Sequence, residues 1–142
     1  MKKKGKKINL KAKGTNAERA LLKLFWEQDT WAAIRTPGSG CARFPSPDIL
    51  AGNSIRRLAI ECKLISIYNV YIPKKEIEQL KIFASKFGAE PWLAIMFNNK
   101  ELNSKEWFFL SLDDVNETEK NICVSTNLAK TKGLLFEEVI KS

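Results

Sequence analysis

The sequence predicts a single domain of the α/β class, in which a mixed central β-sheet is flanked by helices. Three observations support this prediction. The 142 residues suit one hydrophobic core. Apolar residues recur at helical spacing in separate segments near the start, in the middle and at the end of the chain. Short β-type segments lie between these helical segments, as expected for a sheet covered by helices.

The N-terminal segment is strongly basic. Residues 1–13 contain seven lysines and few apolar residues, so they are expected to form a flexible arm ahead of a domain spanning 14–142. Thr15 or Asn16 can cap the helix that follows. Apolar spacing predicts that this helix runs to about Gln28, with Glu18 in its first turn.

The rest of the chain alternates between β-type and helical patterns. Strands are predicted at 31–35, 48–51, 57–63, 68–72, 92–97, 107–112 and, as a short edge strand, 122–125. The second and third of these suit a β-hairpin with its turn at Gly52-Asn53. Pro73 begins a helix that Gly88 ends, and 134–140 suits a closing helix. Residues 37–47, which are rich in Gly, Ser and Pro, are predicted to form a loop.

Composition and charge narrow the possible functions. The formal net charge of +8 favours a polyanionic partner such as nucleic acid, but does not separate an enzyme from a passive binder. Three widely spaced cysteines and the absence of histidine argue against a disulfide framework, a zinc finger and Ser–His or Cys–His catalysis. Any metal ligand or general base must come from carboxylates, Lys, Tyr or water. No segment suits a membrane span or a secretory signal, so a cytoplasmic location is expected, in the host cytoplasm if the source is viral.

One spacing pattern indicates chemistry: Pro47-Asp48 is followed by Glu61-Cys62-Lys63. Side chains at i and i+2 of a strand share a face, so Glu61 and Lys63 should point the same way. Pairing across the hairpin turn would bring Asp48 near Glu61. Two carboxylates and an ammonium group in one patch suit phosphodiester hydrolysis with a hard divalent cation such as Mg²⁺. Glu18 is a third carboxylate, which could add a ligand or could simply complement a helix dipole.

The same residues also have a purely structural interpretation, as a surface Asp, a strand pair and a capping Glu. An isolated E-x-K is common by chance. The upstream P-D, the Gly- and Ser-containing loop and a basic chain without histidine together favour a catalytic site. Lys63 would stabilise the transition state or orient the attacking water, and its role as a general base is left open.

These motifs resemble those of a known family. The pattern P-D…E-x-K is similar to the PD-(D/E)xK nuclease superfamily, which implies a restriction-endonuclease-like fold. In order and spacing, residues 14–19, 35–40, 47–49 and 60–63 resemble the G-x-x-x-E-R, R-x-P-x-S-G, P-D-[IL] and apolar-E-x-K motifs of archaeal-type Holliday junction resolvases of the Hjc family. The resemblance covers roughly Lys13 to Phe97, and the region after Asn98 matches poorly.

The resemblance implies a homodimeric endonuclease that resolves four-way DNA junctions by paired nicks, with Mg²⁺ or Mn²⁺ as cofactor. It places Glu18, Asp48 and Glu61 around the metal ion. It places Lys63 at the transition state, and Ser39 in a DNA-facing loop that supports cleavage. The side chains that it implies, or that their basic character suggests, as DNA contacts are Arg19, Arg35, Ser39, Arg43, Lys74 and Lys75.

Two other functions remain open at this stage. The same pocket could act on another DNA structure in a repair or restriction-like role, because the superfamily uses it on many substrates. The chain could also be a catalytically inert DNA-binding module, although gathered carboxylates would repel DNA without a cation. Many superfamily members carry a helix glutamine after the E-x-K strand, and here Glu76 and Gln79 both remain candidates. The aromatic residues between 92 and 109 are expected to pack in the core or at a dimer interface.

Overall fold

The computed structural model describes residues 10–36, 44–65, 69–97, 106–117 and 121–141. Within these ranges the helices are α1 (Leu10–Trp26), α2 (Lys74–Phe87), α3 (Thr126–Lys132) and α4 (Phe136–Lys141). The strands are β1 (Ala32–Arg35), β2 (Ile49–Gly52), β3 (Arg57–Ile65), β4 (Asn69–Pro73), β5 (Glu90–Phe97), β6 (Trp107–Ser111), β7 (Asn116–Glu117) and β8 (Asn121–Ser125). Most of the predicted flexible arm and most of the predicted loop at 37–47 lie outside the described residues.

The strands form a five-stranded sheet in the order β1-β2-β3-β5-β6 and a three-stranded sheet in the order β4-β8-β7. In the larger sheet β3 and β5 run parallel, and the other neighbouring strands run antiparallel. The predicted α/β class, with a mixed central sheet flanked by helices, is confirmed. The prediction of an edge strand near the end of the chain is wrong, because β8 pairs with β4 on one side and with β7 on the other.

The hairpin of β2 and β3 forms where its turn residues predict it. The Asn53 side-chain Oδ1 accepts hydrogen bonds from the backbone N–H groups of Ile55 and Arg56, at 2.9 and 2.6 Å. The Asn53 N–H also donates to the Arg56 carbonyl at 2.9 Å. An Asn side chain that bonds its own turn in this way fixes the loop length, and with it the register of the two strands.

Helix α1 begins at Leu10, ahead of the caps expected at Thr15 and Asn16. Residues 10–13 are therefore helical and do not belong to a flexible arm. Lys and Ala are strong helix formers, and together they outweigh the cost of Gly14, which is about 1 kcal/mol within a helix. The earlier start places Glu18 near the middle of α1, so the prediction that it lies in the first turn is wrong. The helix dipole consequently does not explain this carboxylate.

Alternate residues of the central strand β3 supply two hydrophobic cores. Leu58, Ile60 and Cys62 pack on the face covered by α1 and α4, whereas Ala59 and Ile65 pack on the face covered by α2 and α3. This alternation is the period-two geometry of a strand buried on both faces. It places Glu61 and Lys63 on the same face as α2.

The aromatic side chains of β6 are part of these cores. Trp107, Phe108 and Phe109 are 3%, 7% and 0% exposed, and they alternate between the two faces of the sheet. Core packing is therefore confirmed for them, and they are not available as a surface for a second subunit. The closing helix α4 begins slightly later than predicted, because Leu134 first bridges to Phe109 by backbone hydrogen bonds. None of the described helices is long and apolar enough to cross a membrane.

Candidate active site

Asp48 and Glu61 lie side by side on adjacent strands. Ile49 pairs with Ile60 in the antiparallel ladder, so the preceding residue of β2 lies opposite the following residue of β3. Asp48 is 6% exposed, and its Oδ2 accepts a hydrogen bond from the backbone N–H of Cys62 at 2.8 Å. A further hydrogen bond joins the Asp48 and Glu61 carboxyl groups. The juxtaposition expected from the hairpin is confirmed.

This pair of carboxyl groups carries too little positive charge to ionise fully. Burial, and then the negative charge of Asp48, raise the pKa of Glu61 from 4.5 to about 8, while the nearby Lys63 ammonium opposes the rise. Glu61 therefore holds a proton at neutral pH. That proton lies in the hydrogen bond with Asp48, where a cation would otherwise offset the two negative charges.

Lys63 is paired with a carboxylate that the sequence did not assign. Its Nζ donates to Oε2 of Glu76, in the first turn of α2, at 2.7 Å. Burial by itself would lower the pKa of Lys63, but the hydrogen bond and charge of Glu76, together with Glu61, raise it. Lys63 is therefore a cation at neutral pH. Gln79, the other candidate on this helix, is exposed.

Glu18 approaches the same site from α1, where Arg35 holds it. Arg35 Nε donates to Glu18 Oε2 at 2.7 Å, and Arg35 Nη2 donates to Thr15 Oγ1 at 3.3 Å. The side chains of Glu18 and Arg35 are both 18% exposed. Burial raises the pKa of Glu18, Arg35 lowers it, and the charge of Asp48 raises it further, so Glu18 lies within the electrostatic field of the site. The sequence assigned Arg35 to DNA, and only an acid–base pairing across α1 and β1 could have predicted this contact.

The other predicted site residues are spread around this cluster. Arg19 is exposed on α1, and Lys74 and Lys75 begin α2, close in sequence to Glu76. The DNA contacts predicted for these side chains and for Arg35 stay predictions. Ser39 and Arg43 lie outside the described residues. Within the described ranges, no three His, Cys, Asp or Glu side chains are grouped closely enough to hold a metal ion by themselves.

Comparisons with known proteins match nearly the whole chain. A family model described as "Archaeal holliday junction resolvase (hjc)" matches residues 9–142. A crossover junction endodeoxyribonuclease Hjc of Archaeoglobus fulgidus is 39% identical over 136 residues, covering 91% of this chain and 96% of the relative. The Hjc of Sulfolobus acidocaldarius is 32% identical over 133 residues, covering 92% of this chain and 88% of the relative.

A solved structure supports the same relationship. Archaeoglobus fulgidus Hjc, described as a Holliday junction resolvase from an archaeal hyperthermophile, matches with a TM-score of 0.79 and 38% identity. The match covers 89% of this chain and 97% of that chain. The resemblance drawn from the motifs is confirmed, and it extends beyond Phe97 into the region that seemed to match poorly.

Proposed function

Because the chain belongs to the archaeal Holliday junction resolvase (Hjc) family, we propose that it cuts four-way DNA junctions by hydrolysis at the Asp48, Glu61 and Lys63 cluster. The prediction of a junction-specific endodeoxyribonuclease is confirmed at the level of the family. The observation that supports the choice of site is the Glu61 pKa of about 8 beside Asp48 and a cationic Lys63. A shifted carboxylate in contact with a partner of the same charge is typical of a functional site. We place this activity in the cytoplasm.

A divalent cation, Mg²⁺ or Mn²⁺, fits the donor chemistry of this site. Carboxylate oxygens are the ligands that such hard cations prefer, and waters and substrate oxygens complete the coordination. Asp48 and Glu61 would supply protein ligands. Glu18 would join them if it kept one oxygen on Arg35 and turned the other to the ion. When bound, the cation would neutralise charge on the phosphate and assist the attack of water.

The protein's own groups hold this chemistry in place. The Cys62 N–H fixes the Asp48 carboxylate at 2.8 Å, so one of its oxygens has a defined direction. Lys63 remains protonated because its pKa is raised. It would therefore donate hydrogen bonds to the scissile phosphate, where negative charge increases in the transition state. A lysine with a raised pKa is a poor general base, which answers the question that the sequence left open.

A cleavage assay separates this proposal from its alternatives. The protein is incubated with a four-way junction and with a linear duplex of the same sequence, with and without Mg²⁺. Metal-dependent cutting of the junction alone is expected, and Asp48→Asn should abolish it. Equal cutting of both DNAs would favour the repair or restriction-like reading. Junction binding without cleavage, unaffected by Asp48→Asn, would favour the inert binding module.

Phosphate contacts beside the active site would come from the basic residues already named. Lys74 and Lys75 precede Glu76, which bonds Lys63, so they lie where flanking phosphates would pass. We propose the same role for Arg19, Arg35, Ser39 and Arg43. Each lost phosphate contact should reduce the salt dependence of junction affinity by about one unit of log–log slope. An unchanged slope for Lys75→Ala would remove Lys75 from this group.

We also propose that the protein acts as a homodimer, since resolving a junction takes two cuts and each chain carries one site. The apolar surface defined by Trp26, Ile34, Phe44, Ile82 and Phe87 supports this proposal. These side chains are between 47% and 74% exposed. They line two surface grooves of about 410 and 260 Å³, and Phe87 lines both of them. An apolar patch of this kind is a typical site for a protein partner.

Sedimentation of the intact protein tests the dimer. Phe87→Glu should shift it from dimer to monomer, because a buried charge without a partner opposes association. Ile55→Glu is the matched control, since Ile55 is 83% exposed and lines neither groove. A wild type that sediments only as a monomer at working concentration would exclude the dimer.

A further inference from the structure

The ion pair between Lys63 and Glu76 calls for an explanation beyond folding. Lys63 Nζ lies 2.7 Å from Glu76 Oε2, and the two side chains are 27% and 37% exposed. An ion pair that water reaches this readily contributes little to the free energy of folding. The pair also uses the amine that the proposed reaction requires. A role in the reaction therefore accounts for it better than stability does.

We infer that Glu76 is a positioning residue that holds the Lys63 ammonium group in the orientation needed at the scissile phosphate. This inference rests on the function proposed above. A lysine ammonium group has three N–H donors at the end of a flexible stem. One bond to Glu76 fixes the stem and leaves two donors for phosphate oxygens. Without Glu76, the amine would sample several rotamers and would be aligned for only part of the time.

Helix α2 gives Glu76 a fixed position relative to β3. Ile77, the next residue, is 2% exposed, and Leu80 one turn later is 3% exposed, so both anchor the start of the helix in the core. The helix ends at Gly88, whose φ of 78° is a left-handed conformation suited to glycine. The carboxylate is therefore presented by a rigid element, which is the usual requirement for a group that positions another.

Helix-dipole complementarity is the competing explanation, because Glu76 lies in the first turn of α2. That explanation requires no contact with Lys63, and it predicts no dependence of one residue on the other. The positioning role predicts that Glu76 matters only while Lys63 is present. The two explanations therefore differ in a double-mutant cycle.

The test is single-turnover cleavage of a four-way junction, at saturating enzyme and Mg²⁺, by Glu76→Gln, Lys63→Ala and the double variant. Glu78→Gln is the matched control, since Glu78 is an exposed acid on the same helix. Glu76→Gln should lower the rate about tenfold and leave the Kd for the junction within about twofold. In the Lys63→Ala background, the same change should have no further effect. Glu78→Gln and Gln79→Ala should match the wild type.

Nuclear relaxation of the Lys63 ε-methylene carbon gives a readout that does not depend on cleavage. Glu76→Gln should make this carbon more mobile, and Glu78→Gln should not. Wild-type rates for Glu76→Gln, equal losses with and without Lys63, or unchanged Lys63 mobility would each overturn the inference. If the wild type failed to cut junctions while Glu76→Gln still released the Lys63 side chain, the proposed function would fail and the positioning contact would stand.

Discussion

Two groups of charged side chains flank β3, and they differ in their charge balance. Just before the strand, Arg56 forms a two-pronged ion pair with Glu90, with N–O distances of 2.8 and 2.9 Å. Arg56 also donates to the Val139 carbonyl at 2.7 Å, and its guanidinium lies 5.8 Å from the centre of the Trp31 ring. The hydrogen bond to Arg56 lowers the pKa of Glu90, and the same bond raises the pKa of Arg56. Each partner therefore favours the ionised form of the other.

The active-site cluster shows the opposite pattern. Here four carboxyl groups face two cationic side chains, and burial raises the pKa of both Glu18 and Glu61. The members of the cluster are Glu18, Arg35, Asp48, Glu61, Lys63 and Glu76. A carboxylate whose pKa falls has found its partner, whereas one whose pKa rises still lacks positive charge. The direction of the shift thus separates an ion pair that completes the fold from a cluster suited to bind a cation.

Asp48→Asn should give the largest effect, and it falls on cleavage. Asparagine keeps an oxygen for the Cys62 N–H, so the fold should persist, but the negative charge is lost. Single-turnover cleavage of a four-way junction in Mg²⁺ should fall about 100- to 1,000-fold. Glu90→Gln, a comparable change in the other group, should leave the rate of the folded protein within about twofold. A similar loss in both variants would remove the distinction between the two groups.

Arg56→Ala should give the next largest effect, and it falls on stability. The change removes both bonds to Glu90 and the bond to Val139, which ties the start of β3 to α4. The free energy of unfolding, measured with urea, should drop by about 2–3 kcal/mol. Arg57→Ala is the matched control, because Arg57 is exposed and should cost under about 1 kcal/mol. Equal losses would show that the ion pair adds nothing particular.

The main sheet could be predicted because its signals are local. Asn53 closes the hairpin turn with its own side chain, and the turn fixes which residue of β2 lies opposite Glu61. Pro73 and Gly88 delimit α2 for similar backbone reasons. The central pair of the site followed from the same register, so Asp48 and Glu61 could be placed together from spacing alone.

The partners of the other site residues could not be predicted, because tertiary packing decides them. Glu76 reaches Lys63 only because α2 packs on one face of β3, and Arg35 reaches Glu18 only because α1 packs across β1. The second sheet pairs β4 with β8, which are distant in sequence, and no turn signal links them. The start of α1 was misplaced because a possible cap does not prevent good helix formers from extending a helix.

A smaller effect should appear in metal binding as a function of pH. Below pH 8 a cation that takes Glu61 as a ligand must displace its proton, whose pKa is about 8. The affinity for Mn²⁺ should therefore rise about tenfold per pH unit towards pH 8 and then level off. Calorimetry in two buffers with different ionisation enthalpies should report about one proton released per ion at pH 6.5. An affinity that does not change between pH 6 and 8 would contradict the assignment of Glu61 as a ligand.

The smallest expected effect contrasts the two groups directly, through the stability of the metal-free protein. Between pH 4.5 and about 8, folded Glu61 keeps a proton that the unfolded chain has released, so its contribution to stability declines as pH rises through this window. Glu61→Gln removes this cost, and its gain over the wild type in urea unfolding should be at least about 1 kcal/mol larger at pH 8 than at pH 5. Glu90 has a lowered pKa, so it stabilises the fold above its ordinary pKa of 4.5 and loses that contribution as pH falls through its folded value. Glu90→Gln should therefore destabilise the protein at pH 8, and a change of the same sign for both variants would contradict the opposite pKa shifts.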